Sequence, residues 1–208
     1  MADTPEKKPL QAIVLVAGGR GNRAGDGLPK QYRPVAGISI IQRTIEALQR
    51  ALPGAAIQPV IHPDDSELFE SCVTGLENIF APVNGGTTRQ DSVLNGLRAL
   101  SDVKPAHIYI HDAARPFVTI SMVEGLSAAL ESGADAVVPV VPIADTLVRE
   151  QAQGREAIDR TGLVAVQTPQ AFDYQSILEA HIKLAGKELT DDASVHEAFG
   201  GTVVHVQG

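Results

Sequence analysis

The apolar run at residues 12–17 constrains the fold more than any other stretch of the chain. It reads Ala-Ile-Val-Leu-Val-Ala and places no polar residue on either face. A strand of this kind is typical of a parallel sheet that helices cover on both sides. A glycine-rich stretch follows at residues 18–29, and apolar residues then recur at helical spacing over residues 41–52. The order strand, loop, helix predicts the opening of a βαβ unit.

The same alternation continues along the chain. Further strands are predicted at residues 57–62, 79–83, 107–111, 136–141, 164–168 and 202–206, and further helices after Asp64 and Asp65, over 93–100, 122–130 and 174–184, and after Asp191 and Asp192. This alternation predicts an α/β three-layer fold with a mainly parallel sheet, whose ligand crevice lies at the carboxyl ends of the strands. The length favours a single domain over residues 1–208.

Residues 142–158 break the alternation. This segment is polar, with Gln151, Gln153 and Gly154 near its middle, and β-prone pieces flank it at both ends. The pattern predicts a projecting β-hairpin, or arm, beside the main sheet.

The charge distribution favours a small anionic ligand. The formal net charge of −8 repels a phosphate backbone at long range, which argues against a nucleic-acid partner. The cations are nevertheless concentrated in the first loop and the helix after it: Arg20, Arg23, Lys30, Arg33 and Arg43. We therefore expect a local basic site on an acidic protein.

The sequence predicts a cytoplasmic protein without a membrane partner. Its single cysteine, Cys72, cannot form a disulfide within the chain. Residues 1–10 lack the apolar region of a secretory signal. No apolar run approaches the roughly 18 to 20 residues that a spanning helix needs.

The glycine loop after the first strand is a candidate polyphosphate site. Gly18, Gly19 and Gly21 let backbone amides approach phosphate oxygens closely, while Arg23 and Lys30 add two cations. The loop has neither the ending of a P-loop nor the simple pattern of a dinucleotide fingerprint. Two cations suit nucleotidyl transfer, in which two anions meet and pyrophosphate leaves. The alternative is a solvated basic loop with ordinary turn glycines.

Asp112 is the candidate metal ligand. It lies in the stretch His-Asp-Ala-Ala-Arg-Pro at residues 111–116, where a predicted strand ends. One carboxylate there can hold Mg²⁺ whose other ligands are phosphate oxygens and water. The alternative is a turn or helix-capping aspartate, and Arg115 either binds phosphate or braces the loop.

Residues 84–92 form a third candidate segment, with a glycine turn and a hydroxyl-rich helix start. The loop offers amides and the Ser92 hydroxyl to a base edge, but helix capping explains Thr88 and Ser92 equally well. The histidines form no metal-ligand pattern, and no nucleophile motif is present, so the sequence argues against covalent catalysis.

In combination and order, these motifs resemble the 2-C-methyl-D-erythritol 4-phosphate cytidylyltransferase family of the non-mevalonate isoprenoid pathway. The matching stretches are residues 18–23, 29–32, 89–92, 111–116, 145–146, 159–163, 168–170 and 190–193. The resemblance implies a Rossmann-like nucleotidyltransferase fold, CTP and a polyol phosphate as substrates, Mg²⁺ as cofactor, and a homodimer formed through the arm.

The resemblance also implies roles for individual residues. Arg23 and Lys30 would stabilise the phosphorus centre under attack, and Asp112 would hold Mg²⁺. The nucleotide would be bound by Ala17, Gly18, Gly19, Arg20, Gly21, Gly86, Ser92 and Ala113. The polyol phosphate would be bound by Thr146, Arg160, Arg115 and Thr168.

The same family continues past the position of Gly208 with an Asn-x-Lys-x-Thr segment whose lysine helps to hold the substrates, and some members carry a fused cyclodiphosphate synthase domain. Three alternatives remain at this point. A ribitol 5-phosphate cytidylyltransferase shares the loop motifs, and a noncatalytic nucleotide-binding module shares the fold. A nicotinamide-dependent oxidoreductase fits the fold, but the sequence lacks the acidic residue that would close a second strand and hold a ribose.

Overall fold

A computed structural model describes residues 10–19, 27–152 and 154–208 of the chain. The strands are β1 (Gln11–Ala17), β2 (Pro34–Val35), β3 (Ile38–Ser39), β4 (Ala56–Ile61), β5 (Val83–Asn84), β6 (His107–Asp112), β7 (Ala136–Pro142), β8 (Leu147–Gln151), β9 (Gly154–Ile158), β10 (Val164–Val166), β11 (Gln170–Asp173) and β12 (Val204–Gln207). The α-helices are α1 (Ile40–Ala51), α2 (Ser66–Val73), α3 (Arg89–Ala99), α4 (Ile120–Glu131), α5 (Tyr174–Lys183) and α6 (Asp192–Ala198). Short 3₁₀ helices cover Lys30–Tyr32 and Pro63–Asp65.

The main sheet has eight strands in the order β10-β7-β11-β6-β1-β4-β5, with β12 paired to β7. Strand β1 lies near its centre and pairs in parallel with both β4 and β6. Ile13 and Leu15 pack on the side of α1 and α4, whereas Ala12 and Val14 pack on the side of α3 and α5. All four side chains are fully buried. The predicted three-layer α/β fold with a mainly parallel sheet is therefore confirmed.

Two strands of the sheet run antiparallel to their neighbours. Strand β11 pairs antiparallel with β6 and β7, and β10 pairs antiparallel with β7. Strand β11 was not predicted from the sequence. It is only four residues long and lies between β10 and helix α5. Such a short segment shows no hydrophobic period, and its place between β6 and β7 is set by tertiary packing.

The remaining differences from the predicted elements are small. The strand predicted at residues 79–83 is reduced to β5 and one bridge between Ile57 and Ile79. The helix predicted to open at Asp64 and Asp65 begins with a 3₁₀ turn and becomes α-helical at Ser66.

The projecting hairpin predicted within residues 142–158 is present. Its strands β8 and β9 pair antiparallel from Leu147–Ile158 to Gln151–Gly154, and they form a two-stranded sheet of their own. Most of their described side chains are exposed, so this arm stands away from the core.

Within the described ranges, no helix combines the length and the apolar character needed to cross a membrane.

The packing of α3 on the sheet generates a stability prediction. A Cβ at Gly96 would lie 2.7 Å from both Val14 Cγ1 and Val60 Cγ2. We expect Gly96→Ala to lower the free energy of unfolding by about 1–3 kcal/mol, because the overpacking outweighs alanine's better helix propensity. Urea denaturation of the variant measures the change.

Gly125→Ala in α4 is the matched control. Its added Cβ would lie 3.8 Å from Val206 Cβ, an ordinary contact, so the free energy of unfolding should stay the same or rise. A Gly96→Ala protein as stable as the Gly125→Ala protein would contradict the close packing of α3.

Candidate active site

A cleft of about 730 Å³ opens at the carboxyl ends of β1 and β6. The 3₁₀ turn that precedes α1 and the loop that precedes α3 complete its lining. This edge is where a parallel sheet places its ligand crevice. Of the predicted site residues, the cleft brings together Ala17, Gly18, Gly19, Lys30, Gly86, Ser92, Asp112, Ala113 and Arg115.

Three predicted site residues, Arg20, Gly21 and Arg23, lie outside the described residues. Their roles remain predictions from the sequence.

The glycine loop after β1 lies close to the glycine turn after β5. A Cβ on Gly18 would lie 3.7 Å from both Gly85 Cα and Ser92 Oγ, and a Cβ on Gly86 would collide with Cβ of Asp91. The Gly18 distances are ordinary contacts, so a side chain is excluded by the packing at Gly86 and not at Gly18, and the backbone of Gly86 is left to line the cleft.

The hydroxyls at the start of α3 organise their own loop. Ser92 Oγ accepts a hydrogen bond from the Gly86 N–H at 3.0 Å and donates one to the Thr88 carbonyl at 2.9 Å. Thr88 Oγ1 accepts from the Asp91 N–H at 3.0 Å, and the Asp91 carboxylate accepts from the Thr88 N–H at 3.1 Å. The structure thus gives Thr88 the capping role that the sequence left open, and it makes Ser92 a brace for Gly86.

Gln31 connects the lysine-bearing turn to the glycine loop. Its buried side-chain amide donates to the carbonyl oxygens of Ala17, at 2.7 Å, and of Gly19, at 3.1 Å. The neighbouring Lys30 is exposed at the cleft. Gln31 therefore fixes the place of Lys30 relative to β1, a role that the sequence analysis did not assign.

Asp112 ends strand β6, and its carboxylate is shared between two arginines. Arg115 Nε donates to Oδ2 at 3.0 Å, and the Nε and Nη2 atoms of Arg89 both lie 3.3 Å from Oδ1. Asp112 caps no helix, but it does open a turn, because its carbonyl oxygen accepts from the Arg115 N–H at 3.1 Å. Arg115 braces this loop and also lines the cleft, so the structure combines the two roles considered for it.

Arg89 continues the charged network away from the cleft. Its Nη1 lies 2.8 Å from Asp192 Oδ2, and His181 Nε2 lies 3.2 Å from Asp192 Oδ1. Burial would raise the pKa of Asp192, but the adjacent His181 ring and the Arg89 charge outweigh it and lower this pKa. Burial would lower the pKa of Arg89, but Asp192 and Asp112 outweigh it and raise this pKa. The Arg89–Asp192 pair is therefore ionised.

The sequence analysis gave Arg89, Asp192 and His181 no role of their own. Arg89 and Asp192 were present in the matching stretches, but they lie far apart in the chain. No spacing rule joins a residue that opens α3 to one that opens α6, so only the fold reveals their contact.

His111 is buried beside the cleft rather than exposed in it. Its Nε2 lies 3.0 Å from the Arg115 carbonyl oxygen. Burial lowers the pKa of His111 to about 4, so its ring is neutral near pH 7. A neutral, enclosed imidazole has a structural role at this position.

A smaller cavity of about 260 Å³ adjoins the cleft, and Arg115 and Ala114 line both. Thr168, Gln167 and Phe117 also line the smaller cavity. Thr168 Oγ1 accepts a hydrogen bond from the Asp112 N–H at 3.4 Å. Two of the predicted polyol-phosphate residues, Arg115 and Thr168, therefore lie next to the predicted nucleotide site.

The other two, Thr146 and Arg160, lie at the base of the arm and line neither cavity. Arg160 Nη1 donates to the carbonyl oxygens of Ile143, Ala144 and Asp145. Within a single chain, Thr146 and Arg160 therefore do not join the other predicted site residues at the two cavities.

The Asp112 carboxylate fits a divalent cation held mainly by other ligands. It lines the cleft with 29% of its side chain exposed. Among the described residues, no group of three or more His, Cys, Asp or Glu side chains could enclose a metal ion. A single carboxylate beside the predicted polyphosphate site suits Mg²⁺, which retains water and phosphate ligands.

The sheet, its crevice and the backbone-lined cleft define a Rossmann-like α/β protein of the nucleotidyltransferase class. The chain belongs to the family described as IspD: 2-C-methyl-D-erythritol 4-phosphate cytidylyltransferase, whose sequence profile matches residues 11–208.

Some similar proteins are about twice as long as this chain. The bifunctional enzyme IspD/IspF of Bradyrhizobium diazoefficiens is 46% identical over 208 residues, which cover 97% of this chain and 52% of that protein. The chain therefore spans about half the length of the curated relatives it matches.

Solved structures agree with this assignment. The 2-C-methyl-D-erythritol 4-phosphate cytidylyltransferase of Thermus thermophilus is 30% identical with a TM-score of 0.77, covering 94% of this chain and 87% of that one. The 4-diphosphocytidyl-2C-methyl-D-erythritol synthase of Anaerococcus prevotii is 26% identical with a TM-score of 0.81, covering 96% and 87%.

The buried His111 predicts a loss of stability in acid. Its pKa is about 4 in the folded protein and about 6.5 when unfolded, so the unfolded chain takes up the proton first as the pH falls. Through this group, the free energy of unfolding is highest above about pH 6.5 and falls by about 3 kcal/mol as the pH is lowered to about 4. His111→Gln should flatten the dependence of the unfolding free energy on pH across this window, as measured by denaturant titrations.

His205→Gln, on the exposed face of β12, is the control and should retain the wild-type dependence. An unchanged dependence in His111→Gln would mean that another group controls acid unfolding.

Proposed function

We propose that this chain catalyses cytidylyl transfer from CTP to 2-C-methyl-D-erythritol 4-phosphate, releasing pyrophosphate, in isoprenoid biosynthesis by the non-mevalonate route. One observation carries the proposal. In a member of this family, Gly18 and Gly19, Lys30 and Asp112 meet in one cleft at the carboxyl ends of β1 and β6.

The reaction is an in-line substitution at the α-phosphorus of CTP. An oxygen of the polyol phosphate forms a bond to this phosphorus, the bond to the bridging oxygen of the β-phosphate breaks, and pyrophosphate leaves. Catalysis consists of aligning two anions and offsetting their charge. This agrees with a cleft that offers backbone, cations and a carboxylate.

The residues of the cleft have different proposed roles in this reaction. Gly18, Gly19 and Gly86 give the triphosphate and base close access to backbone. Lys30, held in place by Gln31, stabilises the charge that develops at the α-phosphorus, a role that the sequence also predicts for Arg23. Asp112 would hold Mg²⁺, which would offset negative charge on the triphosphate.

The smaller cavity is the proposed site of the polyol phosphate. Arg115 supplies positive charge at the boundary between the two cavities, and Thr168 supplies a hydroxyl. This arrangement places the acceptor beside the nucleotide site, as a direct transfer requires.

We infer that the active protein is a homodimer in which the arm completes the partner's site. The separation of Thr146 and Arg160 from both cavities of their own chain supports this inference. The clamp of Arg160 on the carbonyl oxygens at residues 143–145 would fix the arm's direction.

The half-length match to bifunctional relatives supports a further proposal: this sequence is the cytidylyltransferase part of a protein with a second activity. We also propose that it works in the cytoplasm, on small-molecule substrates and without nucleic-acid or membrane partners. The net charge of −8 supports the exclusion of nucleic acid.

Pyrophosphate release tests the activity. The chain, alone and extended past Gly208, would be assayed with each nucleoside triphosphate and with methylerythritol, ribitol and glycerol phosphates. We expect release with CTP and methylerythritol phosphate. A preference for ribitol 5-phosphate would reassign the acceptor, and nucleotide binding without release by either form would indicate a noncatalytic module.

Lys30→Ala tests the catalytic cation. We expect kcat to fall by about 10²- to 10³-fold with much less effect on CTP affinity, because its charge acts mainly in the transition state. The exposed Lys187→Ala is the control and should retain wild-type turnover. Near-normal turnover in Lys30→Ala would remove Lys30 from the mechanism.

Mixing two inactive variants tests the shared site. In a Lys30→Ala and Arg160→Ala heterodimer, a composite arrangement puts both defects in one site and leaves the other intact. Random exchange in an equimolar mixture makes about half of the dimers heterodimers, and one of the two sites in each is intact. About a quarter of all sites should therefore regain wild-type activity. Activity that stays at the level of the separate variants would show that each chain completes its own site.

A further inference from the structure

Arg89 occupies an unusual position, because one guanidinium joins two carboxylates from distant parts of the chain. Its Nε and Nη2 atoms lie 3.3 Å from Asp112 Oδ1 at the cleft, and its Nη1 lies 2.8 Å from Asp192 Oδ2 behind the cleft. All three guanidinium nitrogens thus have carboxylate partners. Only a planar, forked cation can serve two carboxylates in this way.

The rear partner is fixed in place. Asp192 opens α6 and is 1% exposed, and it also meets the fully buried His181 of α5 at 3.2 Å. Removing one partner from a buried charged group is costly, so the pair has a strong preference for its present arrangement. The side of the Arg89 guanidinium that faces away from the cleft is therefore bound to Asp192 of α6, which is itself in contact with His181 of α5.

The backbone of Arg89 is fixed as well. It is the first residue of α3, directly after the Thr88 capping box, and its position relative to the glycine turn is set by the Ser92 brace. The backbone end of the Arg89 side chain is thus fixed at the wall of the cleft, and its guanidinium is held from outside the cleft by Asp192.

The other oxygen of the front partner, Asp112 Oδ2, is contacted at 3.0 Å by a more exposed arginine. Arg115, which contacts Oδ2, is 53% exposed and lies only three residues further along the same loop. Arg89 is the contact that ties the Asp112 carboxylate to a rigid part of the protein.

We propose that Arg89 is a positioning residue, which holds the Asp112 carboxylate in the direction required to receive the divalent cation of the nucleotide, with Asp192 as its anchor. This rests on the proposed function, in which Asp112 is the cation ligand. Arg89 also lines the cleft, so direct binding of the triphosphate by its guanidinium is the competing role that the experiment below distinguishes.

Binding of CTP, measured by calorimetry over a series of Mg²⁺ concentrations, tests the proposal. Arg89→Lys keeps the charge but cannot bridge two carboxylates, and Asp192→Asn removes the anchor. Both should raise the Mg²⁺ concentration needed for half-maximal CTP affinity by about tenfold, the usual effect of losing an outer partner of a metal ligand. The double variant should be little worse than either single variant, because both act through one bridge.

Arg98→Lys, at an exposed position of the same helix, is the matched control and should leave the Mg²⁺ dependence unchanged. Thermal unfolding of every variant without ligand separates folding from binding. A variant whose unfolding midpoint falls while its Mg²⁺ dependence stays wild-type would overturn the proposal. Equal loss of CTP affinity at every Mg²⁺ concentration would also overturn it, because it would assign Arg89 to the triphosphate.

A crystal structure of Arg89→Lys gives a second test that needs no nucleotide. An Asp112 carboxylate turned from its wild-type direction supports the positioning role, and an unchanged carboxylate overturns it. If the wild-type protein binds no nucleoside triphosphate, the proposed function fails, and this structure still decides whether Arg89 positions Asp112.

Discussion

Burial of β1 on both faces is the constraint on which the remainder of the structure depends. Its alternate side chains enter two separate cores, and neither core can form unless helices cover both sides of the sheet. Parallel pairing with β4 and β6 then brings several strand ends to one edge. The chain must leave the sheet there, so the glycine loop and the Asp112 loop meet because of how the core packs.

The site balances its charges locally in a protein that is acidic overall. Lys30 faces the cleft, whereas Arg89 and Arg115 are engaged with Asp112. Placing Arg89 between a cleft carboxylate and a buried one lets it hold Asp112 without presenting a free cation. Hydrogen bonds of uncharged side chains fix the backbone on both sides of the cleft. Gln31 binds the end of β1, and Ser92 binds the Gly86 N–H. Each of these contacts fixes a backbone segment, which suits a reaction that depends on alignment.

Sequence reasoning succeeded where a pattern is local. The unbroken apolar run identified β1, helical spacing identified α1, and the polar interruption identified the arm. It failed at β11, which is too short to show a period, and it predicted a longer strand where the structure has only β5 and a single bridge. Within the site, the motifs indicated Lys30 and Asp112. They gave no sign that Gln31 bonds to the glycine loop, because a buried amide looks like any polar residue in a sequence.

The sequence by itself determined the layer architecture, the edge of the sheet that carries the cleft, and the residue types available for binding a polyphosphate. These follow from hydrophobic period and glycine placement, which act over a few residues. Only the tertiary structure decided that Arg89 joins Asp112 to Asp192, and that Thr146 and Arg160 lie apart from the cleft of their own chain. Such contacts link segments that are distant in the chain, and their geometry exists only after the sheet has brought those segments together.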